Sequence, residues 1–142
     1  MRHDLDRFVS AQEPVFDRAL SELRAGCKES HWMWFVFPQL AGLGRSDTAR
    51  LYAISGRDEA RAYLDHPVLG KRLEEAVAVI NALPGRNAAA VFGGIDVVKL
   101  RSSLTLFREA GGGPAFDEAL EKYFDGSPDP KTLRLLHAQR AG

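Results

Sequence analysis

Asp96 and Lys99 stand three residues apart in the run Asp96-Val97-Val98-Lys99-Leu100-Arg101-Ser102-Ser103. On a helix that spacing makes them surface neighbours, with Ser103 one turn beyond Lys99. A carboxylate, an ammonium and hydroxyls on one face can activate water and bind phosphate or ribose oxygens. The plainer reading of the same residues is a helix cap at Asp96 and a solvated Lys99.

A second set of reactive groups lies in His31-Trp32-Met33-Trp34-Phe35-Val36-Phe37-Pro38-Gln39. A short helix there puts Trp32, Phe35 and Val36 on one face, with His31, Trp34 and Met33 directed elsewhere. A strand instead sets His31, Met33, Phe35 and Phe37 against Trp32, Trp34 and Val36. Phe35 and Phe37 read as core, since aromatics supply much of a small domain's buried area. Trp34 beside His31 and Gln39 offers stacking plus hydrogen bonding, a combination suited to a planar base. Imidazole is the side chain suited to proton transfer near neutral pH, so His31 is a candidate proton carrier as well as a structural donor. His3, His66 and His137 are scattered, so neither a metal site nor another cofactor is expected.

Three weaker signals remain. Gly42-Leu43-Gly44-Arg45-Ser46 resembles a phosphate cradle only loosely, without nucleotide-fingerprint spacing, although Arg45 and Ser46 could hold a phosphate. Ser46 or Asp47 could equally cap a following helical turn. Gln12 is a polar side chain on a mainly apolar helix, a surface residue or a ligand contact. Cys27 is the lone cysteine, which excludes a disulfide framework; Lys28 beside it could lower the thiol pKa, but an incidental thiol is the simpler account.

The elements that must position these groups read as helices. Apolar residues recur at helical spacing around Leu5 to Ala11, Phe16 to Leu23, Arg57 to Leu64, Pro67 to Leu83, Asp96 to Phe107, Phe116 to Tyr123 and Asp129 to Leu136. Breaks fall at Gly26, His66-Pro67, Pro84-Gly85, Gly111-Gly112-Gly113-Pro114 and Asp125-Gly126. Ala88 to Phe92 is open between helix and strand. The expectation is a mainly α fold, a single domain over residues 1–142, with a minor sheet as an allowed addition.

Composition narrows the function. Nineteen basic and nineteen acidic side chains cancel, so the broad positive field of a non-specific nucleic-acid binder is absent and nucleic acid is a poor expected partner. No run approaches the roughly 20 apolar residues needed to span a bilayer, and the polar N-terminus does not read as a signal peptide. A cytoplasmic location is the expectation, with no membrane partner; no oligomeric state is assigned.

Several segments together carry a resemblance: Arg7-Phe8 with Ala11-Gln12, Ser30-His31-Trp32-Met33-Trp34, Phe37-Pro38-Gln39, Gly42-Leu43-Gly44, His66-Pro67, Phe92-Gly93, and Lys99-Leu100 with Ser102-Ser103. They resemble a bacterial domain-of-unknown-function family sometimes labelled calpastatin-like and related to the YbiA-like, or NADAR, superfamily. Calpastatin segments are disordered inhibitors, whereas 45% apolar residues here can build a packed core. The superfamily resemblance implies a YbiA-like helical domain with a pocket for a nucleotide or ADP-ribose-like ligand, and activity on N-glycosidic bonds. On that expectation Trp34 stacks a base, and His31, Gln39 and Gln12 fix its polar edges. Asp96 orients water or stabilises an oxocarbenium-like transition state, while Lys99 binds ribose or phosphate. A non-catalytic nucleotide-binding module and a helical protein-interaction adaptor are the alternatives.

Overall fold

Helical periodicity governs the architecture. The computed structural model describes residues 4–141; Met1, Arg2, His3 and Gly142 lie outside the described residues, and with them the start of the polar N-terminus. Within them the chain forms α1 (Asp6–Gln12), α2 (Phe16–Arg24), α3 (Met33–Val36), α4 (Asp47–Leu51), α5 (Arg57–Asp65), α6 (Leu69–Ala82), α7 (Ala88–Glu109), α8 (Pro114–Phe124) and α9 (Pro130–Ala141). The fold is therefore mainly α. In place of a minor sheet, the described residues show an isolated parallel bridge between Leu40 and Ile54. It is closed by Ile54 N–H to the Gln39 carbonyl and Ala41 N–H to the Ile54 carbonyl, both 2.8 Å.

One apolar core runs through the molecule. Leu23, Trp32 and Phe37 from its first part meet Tyr63, Leu73, Ile80, Leu104, Phe107 and Phe116 from the rest. Packing is strongest where α8 lies against α6 and α7, and α6 also contacts α2 and α5. Gly70 lets α6 start tightly against the end of α5, because a Cβ there would lie 2.1 Å from the Leu64 carbonyl oxygen. Caps follow short polar side chains. Ser46 Oγ accepts from Ala49 N–H at 3.1 Å, Asn87 Oδ1 from Ala90 N–H at 3.2 Å, and Asp129 Oδ2 from Thr132 N–H at 3.0 Å.

The segment that shapes the site is α7. Gly93 breaks it with φ 83° and ψ 163°, a left-handed conformation that an L side chain adopts only under strain. Ala88 to Phe92 is thus a helical stub, which resolves the helix-or-strand ambiguity. The long helix begins directly after Gly93 rather than at Asp96, so Asp96 lies inside its first turn.

Candidate functional site

Burial decides how the aromatic stretch is oriented. The single turn of α3 drives Met33 and Val36 into the core, with Trp32 and Phe37 buried on either side of it. Trp34 is left half-buried on the outer side, and His31 is exposed. Met33 is therefore core. Phe35 is only partly buried, packing its ring against Tyr52 at 5.3 Å between centroids.

The loop before α3 is tied to the stub of α7 by the Lys28 N–H, which donates to the Val91 carbonyl at 2.8 Å. This tie brings two distant stretches of sequence to one cleft of about 380 Å³. Its walls are His31 and Trp34 on one side, and Phe92, Gly93, Gly94, Ile95, Asp96 and Lys99 on the other. The 94–109 segment begins here, so the positive end of its dipole faces the opening.

The charged centre of the cleft is Asp96. Lys28 Nζ lies 2.8 Å from its Oδ2, and Lys99 Nζ lies 3.4 Å from its Oδ1. Each lysine also stands over an indole: Lys28 Nζ is 4.9 Å from a Trp32 ring centroid, and Lys99 Nζ is 4.5 Å from that of Trp34. Two cations on one carboxylate leave the site with a positive excess, and the indoles add cation–π attraction.

Lys28 was not among the residues singled out from sequence as ligand-binding, and neither was Glu22, which holds the loop in place. Glu22 is buried and accepts from the Glu29 and Ser30 N–H groups at 2.8 and 2.9 Å, the Ser30 hydroxyl at 2.6 Å and Trp32 Nε1 at 2.9 Å. Burial works to raise its pKa, but the hydrogen bonds from Ser30, Glu29 and Trp32 together win and lower it to about 2. An ionised carboxylate thus gathers residues 29–32 around itself, which sets where Lys28 and His31 stand.

The other sequence-derived candidates lie elsewhere. Gln12 is buried, neither on the surface nor at the cleft. Its Nε2 donates to the Phe35 carbonyl at 2.6 Å and the Tyr63 hydroxyl at 2.9 Å, and its Oε1 accepts from Arg72 at 3.3 Å. Those bonds occupy the amide as a brace between α1, α3, α5 and α6. Gln39 is half-buried beside the Leu40–Ile54 bridge and does not line the cleft. Ser46 spends its hydroxyl on the α4 cap, and Arg45 is exposed next to it. Ser103 is fully buried, its Oγ without a hydrogen-bond partner among the described residues; it too is absent from the cleft walls. Cys27 is an exposed free thiol.

Among the described residues no three His, Cys, Asp or Glu side chains are grouped to hold a metal ion. No described helix is long and apolar enough to cross a membrane.

Fold and cleft define a mainly helical domain with a recess walled by aromatic side chains, Asp96 and Lys99. The chain belongs to the family described as a protein of unknown function, DUF1810, whose model matches residues 2–136. It is similar to the crystal structure of the conserved hypothetical protein Rv1873 from Mycobacterium tuberculosis. The two share 50% identity over 94% of this chain and 96% of that one, with a TM-score of 0.92. No curated protein matches the sequence.

Proposed function

We propose that the cleft binds a nucleotide or ADP-ribose-like ligand and that the protein hydrolyses its N-glycosyl bond. One observation carries the reading: Asp96 stands beside both Lys99 and Trp34 in a single open recess. Cleaving an N-glycosyl bond develops positive charge at the anomeric carbon, and a nearby carboxylate lowers the energy of that state. Water adds to the carbon, and the base departs with a proton. In this scheme Asp96 supplies the negative charge, Trp34 stacks the base, Lys99 takes ribose or phosphate oxygens, and His31 at the rim moves a proton.

A binding module without turnover is the second reading. It is favoured by the two lysine contacts on Asp96, which occupy a lone pair on each carboxylate oxygen.

Thermal shift with a panel of nucleosides, nucleotides and ADP-ribose, followed by chromatography for released base, tests both. A ligand at a hundred times its Kd should stabilise the protein by about 2.7 kcal/mol. Base release that is lost in Asp96→Asn while binding persists supports the hydrolase. Binding without release in the wild type supports the module. No stabilisation by any member of the panel overturns both.

A further inference from the structure

The two lysines on Asp96 are not equivalent. Lys28 is pinned: its side chain is 6% exposed, it sits 2.8 Å from Oδ2, and it also donates to the Ser30 carbonyl beneath the Trp32 ring. Lys99 is loosely held: its side chain is 20% exposed, it reaches Oδ1 only at 3.4 Å, and it covers the Trp34 indole at 4.5 Å. The groups the proposed ligand would use, an oxygen of Asp96 and the indole of Trp34, are thus both contacted by one partly exposed ammonium.

We infer that Lys99 is a displaceable cation, and that the cleft selects phosphate-bearing ligands because a phosphate draws Lys99 away from both groups at once. The inference rests on the nucleotide reading above and names the ligand class within it. A long ion pair near the surface and a cation–π contact are individually weak. An ammonium–phosphate contact is a short, charge-assisted hydrogen bond and outcompetes them. Lys28 remains on Oδ2 throughout, so Asp96 never becomes an uncompensated charge when Lys99 leaves. A neutral nucleoside has nothing to offer Lys99 and must compete with it for the indole. A nucleotide recruits the same lysine that blocks its base.

The test titrates adenosine, AMP and inorganic pyrophosphate into the full chain and its Lys99→Met variant, by calorimetry and tryptophan emission. The wild type should bind AMP at least about ten-fold more tightly than adenosine. In Lys99→Met that ratio should fall to about one, and adenosine should bind more tightly than it does to the wild type, because its site is already vacated. Equal affinity of the wild type for adenosine and AMP overturns the inference and leaves the nucleotide reading standing; this comparison needs no variant. Adenosine binding that weakens in Lys99→Met also overturns it, since Lys99 would then be a fixed wall. Pyrophosphate binding that perturbs tryptophan emission and depends on Lys99, with neither adenosine nor AMP bound, keeps the displaceable lysine and overturns the nucleotide reading. Binding of none of the three overturns both.

Discussion

Two tryptophan–lysine pairs meet at one carboxylate, and they differ in what surrounds them. The inner pair, Trp32 and Lys28, is walled in: the indole is fully buried, its Nε1 bonds a buried carboxylate, and its ring lies 6.4 Å from that of Phe37. The outer pair, Trp34 and Lys99, lines an open cleft and has no comparable backing. The two tryptophans, two positions apart in the sequence, therefore serve two purposes. A buried indole contributes its area to stability and fixes a lysine that the core then holds in place. A half-buried indole contributes little to stability and keeps a face available.

The largest test of this contrast is truncation of each indole. Trp32→Ala removes a fully buried side chain and orphans a hydrogen bond to Glu22, and should cost about 4 kcal/mol in urea denaturation. Trp34→Ala should cost about 1 kcal/mol, from partial burial and the lost cation–π contact. Equal losses would mean that the outer indole is also core, and the distinction between the pairs would collapse.

The next effect isolates the anchor of the inner pair. Glu22 is lowered from 4.5 to about 2, so it binds protons less readily folded than unfolded. Its contribution is fully present above pH 4.5 and disappears as the pH falls through about 2, a loss of about 3 kcal/mol. Urea denaturation at a series of pH values should show that decline in the wild type. Glu22→Gln should start lower by a similar amount and lack this component of the decline. A Glu22→Gln profile parallel to the wild type would remove Glu22 as the anchor.

How much of this was legible in the sequence follows from the range of each interaction. The helices were readable because their period is local, and Asp96, Lys99, His31 and Trp34 stood out by type and spacing. That the two segments share a cleft followed only from the family resemblance and from no local pattern, since the tie from Lys28 to Val91 joins a loop to a helical stub 63 residues further along the chain. Lys28 looked like a neighbour of Cys27; only the packed loop reveals it as a nearly buried cation. Gln12 reads as a surface residue or ligand contact for the same reason, because Tyr63 and Arg72 lie 51 and 60 residues away and no local feature announces them. Gly93 is visible as a glycine, but spacing alone points to Asp96 as the start of the long helix. An acidic residue in a first turn imitates a cap, and the true break lies three residues earlier, at the positive φ of Gly93.

The smallest effect separates the two lysines themselves. Lys28→Met leaves Oδ2 of a carboxylate that is only 19% exposed without its closest partner, and should cost about 2 kcal/mol. Lys99→Met breaks a 3.4 Å contact at the cleft edge while preserving the hydrophobic stem, and should cost no more than about 0.5 kcal/mol. Double-mutant cycles with Asp96→Asn assign each difference to the pair rather than to the stem, since single losses include packing. A coupling of Lys99 to Asp96 as large as that of Lys28 would make both lysines structural. A near-zero coupling at Lys99 beside a substantial one at Lys28 leaves the outer cation free to answer a ligand while the inner one keeps the carboxylate in place.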